Sequence, residues 1–480
     1  MSERIISLHS AVIKATLPFA GIQPFPDSLI SSSMALTIHE RCQVSPPKGS
    51  IPATTLPLSF LDVPWFICHP MQYICLYDLV HPFSYFTDTA LPSLKSSLCS
   101  ALEDFFPFAA DLLIPHHSRK AQIVYTADSS LSRTIAESAM DFNRLVSSSL
   151  QDAVDVHPLV PHLPPSRISE EGDFVSPVMA IQITVFPNSG ICIGVEFLHV
   201  AADGKSFQDF MKAWAGIHRS GLSSNRSDEE RVRPFHDRRI IRDTNGLESI
   251  FYRRFLSSNA IPTSRRIPVD KVRGTFHLNK SQLDQLKEMV LKKASSKPRH
   301  MSKFVVACAF VWHCWVSAQD KSLEDDQAHY LVLLADCRSR LGYPIPTSYF
   351  GNCLTVRFVS TSRGTLIGES GIVYAAKSIG DKVKEVEEDP LKGVEGWPDE
   401  VAEKVKPGIH LAVAGSPRFK VYDTDFGWGK PRKLHRVHLD DSNGFGMSDA
   451  RQGDDTIEID VALDKSTMEK FAALFGKLHP

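Results

Sequence analysis

The sequence predicts an α/β protein of two globular domains, on three observations. The chain has 480 residues, long for a single core and suited to two. Runs of period-two alternation, Val178 to Phe186 and Ile191 to Leu198, are interleaved with runs of helical period, Ser281 to Lys292 and Phe304 to Val316. At one junction the two periods meet: Ile191, Ile193, Val195, Phe197 and His199 share a parity, Asp203-Gly204 breaks it, and Phe207, Phe210, Met211, Trp214 and Ile217 follow at helical spacing. A strand ending in His199, a tight turn and a helix with Ser206 and Asp209 as its capping box are expected there.

The other elements follow in chain order. Thr37 to Val44 is strand-like until Pro46-Pro47 stops it. Leu56 to Trp65 and Tyr73 to Tyr77 are apolar, and Leu91 to Phe106 has the pattern of a helix with Pro92 in its first turn and Pro107 beyond its end. Gln122 to Thr126 has the pattern of a strand and Asp141 to Val146 that of a short helix. Pro187 to Gly190 has the composition of a hairpin turn between two strands at the heart of the first sheet. The polar, charge-mixed segment from Ser220 predicts a crossover linker over 220–239, which separates a first domain, 34–219, from a second, 240–480. In the second, Ser302 sits at the N-cap of the buried helix, Tyr330 to Leu334 is a buried strand, and Leu366 to Val386 has the spacing of one long helix stopped by Pro390.

Composition excludes several function classes. Lys plus Arg number 53 against 55 Asp plus Glu, so no global field draws nucleic acid or an anionic membrane. Nine cysteines fall at irregular positions without zinc spacing, which predicts reduced thiols, no metal and a cytoplasmic protein. No apolar run is long enough to span a bilayer. Residues 1–33 are expected to lie outside the fold as an upstream start or gene-model artefact, with Met34 the natural beginning. Lys14 and several prolines break the apolar part of that extension, and Glu3 and Asp27 count against a plastid transit segment.

His199 is the candidate for chemistry, because a neutral imidazole at the end of a strand can take a proton near neutral pH. The residues alone fit equally a hydrogen-bonded histidine at a strand end. His199-Val-Ala-Ala-Asp203-Gly204 resembles the His-x-x-x-Asp-Gly motif of the BAHD acyl-CoA-dependent acyltransferases of plants, and Asp425-Phe-Gly427-Trp428-Gly429 resembles that family's second hallmark. Asp336-Cys-Arg338-Ser-Arg340 and Tyr349-Phe-Gly-Asn352-Cys353 resemble signatures of the branch that acylates anthocyanins and other phenolic glycosides. The likeness runs from about Met34 onward.

The resemblance implies two chloramphenicol-acetyltransferase-like domains with mixed sheets and an active site in a channel between them. It implies direct transfer of an acyl group, malonyl first and hydroxycinnamoyl next, from acyl-CoA to a sugar hydroxyl of a phenolic glycoside, by a monomer with no permanent cofactor. His199 would be the base. Asp203 would turn away to pair with Arg338, with Gly204 and Asn352 supporting the same turn, and the Asp425 motif would be a structural loop remote from the reaction. Lys297, Arg299 and the helix start at Ser302 offer charge and free N–H groups to CoA phosphates, or else form a solvated basic loop. An amine N-acyltransferase and a catalytically silent ligand-binding paralogue stand as alternatives.

Overall fold

The computed structural model describes residues 36–118, 120–221, 233–256, 267–296, 298–320, 324–453 and 455–478. The N-terminal extension, much of the expected linker and Lys297 lie outside these residues. Three sheets organise the described residues. The first has six strands, ordered Leu36–Val44, Leu131–Ser138, Met179–Phe186, Gly190–Phe197, Met71–Asp78 and Lys433–Arg436. It is mixed, since Met179–Phe186 runs parallel to Leu131–Ser138 and antiparallel to Gly190–Phe197. Both members of that central hairpin are buried along their whole length, which explains their near-continuous apolar composition.

The second sheet has seven strands, ordered Leu354–Ser362, Ala328–Asp336, His410–Ala414, Gly444–Asp449, Ile457–Asp464, Lys271–Leu278 and Gln151–Asp152. The third is a smaller, antiparallel sheet of five strands. Each large sheet borrows a strand from the other end of the chain: Gln151–Asp152 pairs with Lys271–Leu278, and Lys433–Arg436 pairs with Met71–Asp78. Around the first sheet lies a large apolar core that includes Phe60, Tyr77, Trp214 and Phe251, while Trp312, Phe310 and Ile459 belong to a separate core around the second.

Close approach dictates one glycine of the central strand. A side chain at Gly194 would put its Cβ 2.1 Å from the Leu159 carbonyl oxygen, so only glycine lets the turn Ala153–Leu159 pack there.

Three local expectations are corrected. The strand that leads to His199 ends at Phe197, and His199–Ala201 is instead a single 3-10 turn. The Leu198 N–H still reaches the Val178 carbonyl at 2.9 Å, and the chain then curls, the Ala201 and Ala202 N–H groups donating back to the Leu198 and His199 carbonyls. The following helix, Gly204–Ser220, is capped by Asp203, whose carboxylate accepts from the Ser206 N–H at 2.9 Å, so Ser206 lies one turn inside the helix and is not its cap. The long helix expected over Leu366 to Val386 is two, Arg363–Ile367 and Gly371–Glu388. His313, on the buried helix Lys303–Ala318, bonds the Leu366 carbonyl at 2.6 Å, the oxygen a continuous helix would need for itself.

Burial pushes down the pKa values of His218, His313, His329, His410 and His435, and brings that of His236 to about 4. In the unfolded chain these side chains titrate near the ordinary value of 6.5. As pH falls through that value the unfolded state takes up protons that the folded state does not, so stability falls with it. The melting temperature is expected to drop by several degrees between about pH 7.5 and about pH 5; an unchanged melting temperature over that window would contradict this.

Candidate active site

The turn that follows the central strand gathers side chains from five distant segments. His199 is 8 % exposed, and its ring lies flat against the indole of Trp65, with centroids 4.0 Å apart and planes 4° from parallel. Trp65 is itself fixed, since its indole N–H donates to the Leu61 carbonyl at 2.9 Å. Of the two imidazole nitrogens, Nδ1 is enclosed and without a hydrogen-bond partner among the described residues, which leaves the accessible part of the ring on the Nε2 side. Burial lowers the His199 pKa, opposed by its own backbone, Asp203, Asn352 and Asp62. The ring is thereby biased toward its neutral form around neutral pH.

Asp203 points away from the imidazole. One carboxylate oxygen caps the helix at Ser206; the other accepts from Arg338 Nη1 at 2.9 Å and from the Cys353 N–H at 3.2 Å. Arg338 also donates to the carbonyl oxygens of Tyr349 and Gly351 and to Ser206 Oγ, at 3.1–3.3 Å. Burial raises the Asp203 pKa, but the Arg338 guanidinium and the N–H donors outweigh it and hold the carboxyl below its usual value. Gly351 has φ +143, a conformation that side chains disfavour, and it aims its carbonyl at this cluster.

Asn352 is fully buried. Its Nδ2 donates to the carbonyls of His199 at 2.9 Å and Val200 at 3.3 Å, and to Asp62 Oδ1 at 3.0 Å. The structure thus brings together His199, Asp203, Gly204, Arg338 and Asn352. A Cβ on Gly204 would stand 3.2 Å from the Phe419 ring, so the start of the helix is closely covered.

Sequence reasoning missed three members of the site: Trp65, Asp62 and Arg238. Asp62 and Arg238 form a second buried pair at 3.0 Å, and Arg238 Nη2 donates to the Ala201 carbonyl at 2.6 Å. The remaining carboxylate oxygen of Asp62 accepts the Asn352 N–H at 2.9 Å as well as its side chain. A faint local signal existed for Asp62, which stands just before Val63-Pro64 with Ser59 one turn earlier, a turn-forming arrangement. Arg238 carried none, being one of several arginines in a polar segment.

The Asp425 motif lies at the far end of the helix Gly204–Ser220. Asp425 accepts the N–H groups of Gly427 and Gly429 at 2.7 Å and 2.9 Å, and faces Arg219 at 3.5 Å. Trp428 packs on Phe426 and edge-on to Tyr77. At 1.5 Å per residue this loop is roughly 20 Å from the His199 turn. Ser302 and Arg299 are already engaged: the serine hydroxyl caps its helix through the Val305 N–H, and Arg299 pairs with Glu388 at 2.5 Å. No cluster of three metal-ligating side chains exists among the described residues, nor any helix long and apolar enough to cross a membrane. All nine cysteines are free thiols.

A family model described as the Transferase family matches residues 34–477. The chain is a BAHD acyltransferase. As such it is an acyl-CoA-dependent enzyme. This acyltransferase is 36 % identical to coumaroyl-CoA:anthocyanidin 3-O-glucoside-6''-O-coumaroyltransferase 2 of Arabidopsis thaliana, over 92 % of this chain and 97 % of that one. It is 35 % identical to a malonyl-coenzyme:anthocyanin 5-O-glucoside-6'''-O-malonyltransferase of Salvia splendens, over 92 % and 94 % respectively. Its fold resembles that of vinorine synthase, with a TM-score of 0.67 at 20 % identity over 92 % of this chain and 98 % of that one.

Removing Arg338 would leave Asp203 buried and unpaired. Arg338→Met is expected to cost roughly 3–5 kcal/mol of stability by urea denaturation, and a loss below about 1 kcal/mol would show that the pair does not hold the turn.

Proposed function

We propose that this acyltransferase moves a hydroxycinnamoyl or malonyl group from acyl-CoA to a sugar hydroxyl of an anthocyanin or related phenolic glycoside, with His199 as the general base. The observation that carries the reading is the state of His199: buried, biased toward neutrality, with Nδ1 turned inward and Nε2 on the accessible side. As the acceptor oxygen attacks the thioester carbonyl, Nε2 takes the hydroxyl proton; the C–S bond breaks and the CoA thiolate leaves, to be protonated in turn. The similar coumaroyl and malonyl transferases support the acceptor class.

Direct transfer is favoured over a cysteine acyl-enzyme. Burial pushes the Cys337 thiol up to about 12, and pushes that of Cys353 up despite nearby Arg338. Thiols so disfavoured as thiolates are poor nucleophiles. Among donors, hydroxycinnamoyl-CoA is placed ahead of the malonyl-CoA that the sequence put first. Both arginines beside the turn, Arg238 and Arg338, are engaged by buried aspartates, so neither is left to clamp a malonyl carboxylate.

His199→Ala is expected to lower kcat by at least about 100-fold while the melting temperature stays close to wild type; turnover within tenfold of wild type would remove His199 from the base role. Because the folded pKa is depressed, the acid limb of kcat/KM is expected to have its midpoint below the ordinary histidine value of 6.5, and a midpoint above it would contradict the site's electrostatics. Incubation with hydroxycinnamoyl-CoA and malonyl-CoA in competition, against anthocyanin glucosides and an amine, and scored by product mass, decides donor and acceptor. Binding without product would instead favour the silent-paralogue reading.

A further inference from the structure

Asn352 holds one structural detail that its motif does not explain. Its Nδ2 lies against three acceptors, the His199 carbonyl, the Val200 carbonyl and Asp62 Oδ1, so the amide cannot be turned the other way without placing its oxygen against all three. That orientation leaves Asn352 Oδ1 buried with no donor, while His199 Nδ1 is buried with no acceptor. One side chain lacks a donor and the other an acceptor, and the two residues are already joined by the Nδ2 bond to the His199 carbonyl. The amide and the ring are thus complementary neighbours, and catalytic contacts of this kind tighten on substrate binding.

What sets the amide is Asp62. It accepts both the backbone N–H of Asn352, at 2.9 Å, and its Nδ2, at 3.0 Å, with a single carboxylate oxygen. The other oxygen is held by the Ser59 N–H at 2.8 Å, Ser59 Oγ at 2.7 Å and Arg238 Nη1 at 3.0 Å. Asp62 is fully buried and cannot rotate without breaking these bonds. Arg238 balances its charge and pins the Ala201 carbonyl, so three successive carbonyls of the turn, His199, Val200 and Ala201, are held by this group.

We propose that Asp62 is a positioning residue for acyl transfer: its carboxylate fixes the Asn352 amide with the oxygen toward His199 Nδ1, so that the ring proton is held inward and the Nε2 lone pair is left for the acceptor hydroxyl. The proposal rests on His199 being the base. The amide oxygen then stabilises the imidazolium that forms when Nε2 accepts the proton, which is the role the third member plays in other nucleophile–histidine arrangements. Asn352 and Asp62 both oppose the effect of burial on His199, in the direction this requires. The other charged groups around the turn, Asp203, Arg338 and Arg238, are each closed in a pair of their own, so the groups that act on the ring by hydrogen bonding are its own backbone and Asn352.

The test is a double-mutant cycle of Asp62→Asn and Asn352→Ala on the full chain. Asp62→Asn is expected to lower kcat by at least about tenfold with the KM for acyl-CoA within about threefold, because a disordered amide no longer selects the productive tautomer. In the Asn352→Ala background the same change is expected to cost less than about threefold. The acid limb of kcat shifts to lower pH in Asp62→Asn, as the imidazolium loses support. A kcat within about threefold of wild type, an equal loss in both backgrounds, or an unmoved acid limb overturns the proposal. Should Asp62→Asn fail to fold with Arg238 left unpaired, Asp62→Asn/Arg238→Met, which removes both buried charges, is read in the same way. If His199→Ala keeps its turnover, it is the base reading that falls; if His199→Ala is dead and Asp62→Asn is normal, only the positioning role of Asp62 falls.

Discussion

The turn carrying His199 is held by buried charge rather than by a sheet. Strand pairing ends at Phe197, and the 3-10 turn that follows makes few bonds of its own. Its place is set instead by two aspartate–arginine pairs, Asp203 with Arg338 and Asp62 with Arg238, each buried almost completely. An ion taken out of water loses several kcal/mol of hydration, and a partner restores this only when the remaining donors and acceptors are also satisfied. The carboxylates meet that condition through backbone and side-chain donors, whereas Nε of each guanidinium is buried without a hydrogen-bond partner among the described residues.

Such pairs are a weak source of stability, because well-packed apolar side chains of the same volume often serve as well. What they supply here is placement. Arg238 and Asp62 enter from segments far apart in the chain and end on the Ala201 carbonyl and the Asn352 amide. Arg338 and Asp203 join the start of the helix to the Gly351 carbonyl, which the unusual backbone of that glycine directs inward. The imidazole is thus located by groups that act on the backbone of its turn, and Trp65 fixes the plane of its ring.

Much of this was legible in the sequence, and the parts that were not share a cause. Period-two and helical patterns located the central hairpin, the helix after Asp203 and the buried helix capped by Ser302, since burial on one face or two leaves its mark on neighbouring residues. Parity could not show that pairing stops at Phe197, because His199 keeps the alternation after the strand is over. Nor could spacing reveal the break after Ile367, which depends on His313 taking a carbonyl from another helix. Charge patterning showed Arg299 as one basic residue of a loop but not its ion pair with Glu388, 89 residues away. The turn residues Asp203, Arg338 and Asn352 were reached through motif resemblance; Asp62 and Arg238 belong to no motif that was recognised, and a buried ion pair between remote segments has no local signature.

The strands exchanged between the two large sheets bear on how the chain is made. The ribosome releases Leu36 to Phe197 long before Lys433–Arg436, yet that late segment forms the edge beside Met71–Asp78. Until then the nascent first sheet presents an open border of unpaired amides and carbonyls next to a largely apolar hairpin, the kind of surface that invites association with other chains. Completion of the first sheet waits on synthesis of the chain as far as Lys433–Arg436, the segment that closes this border.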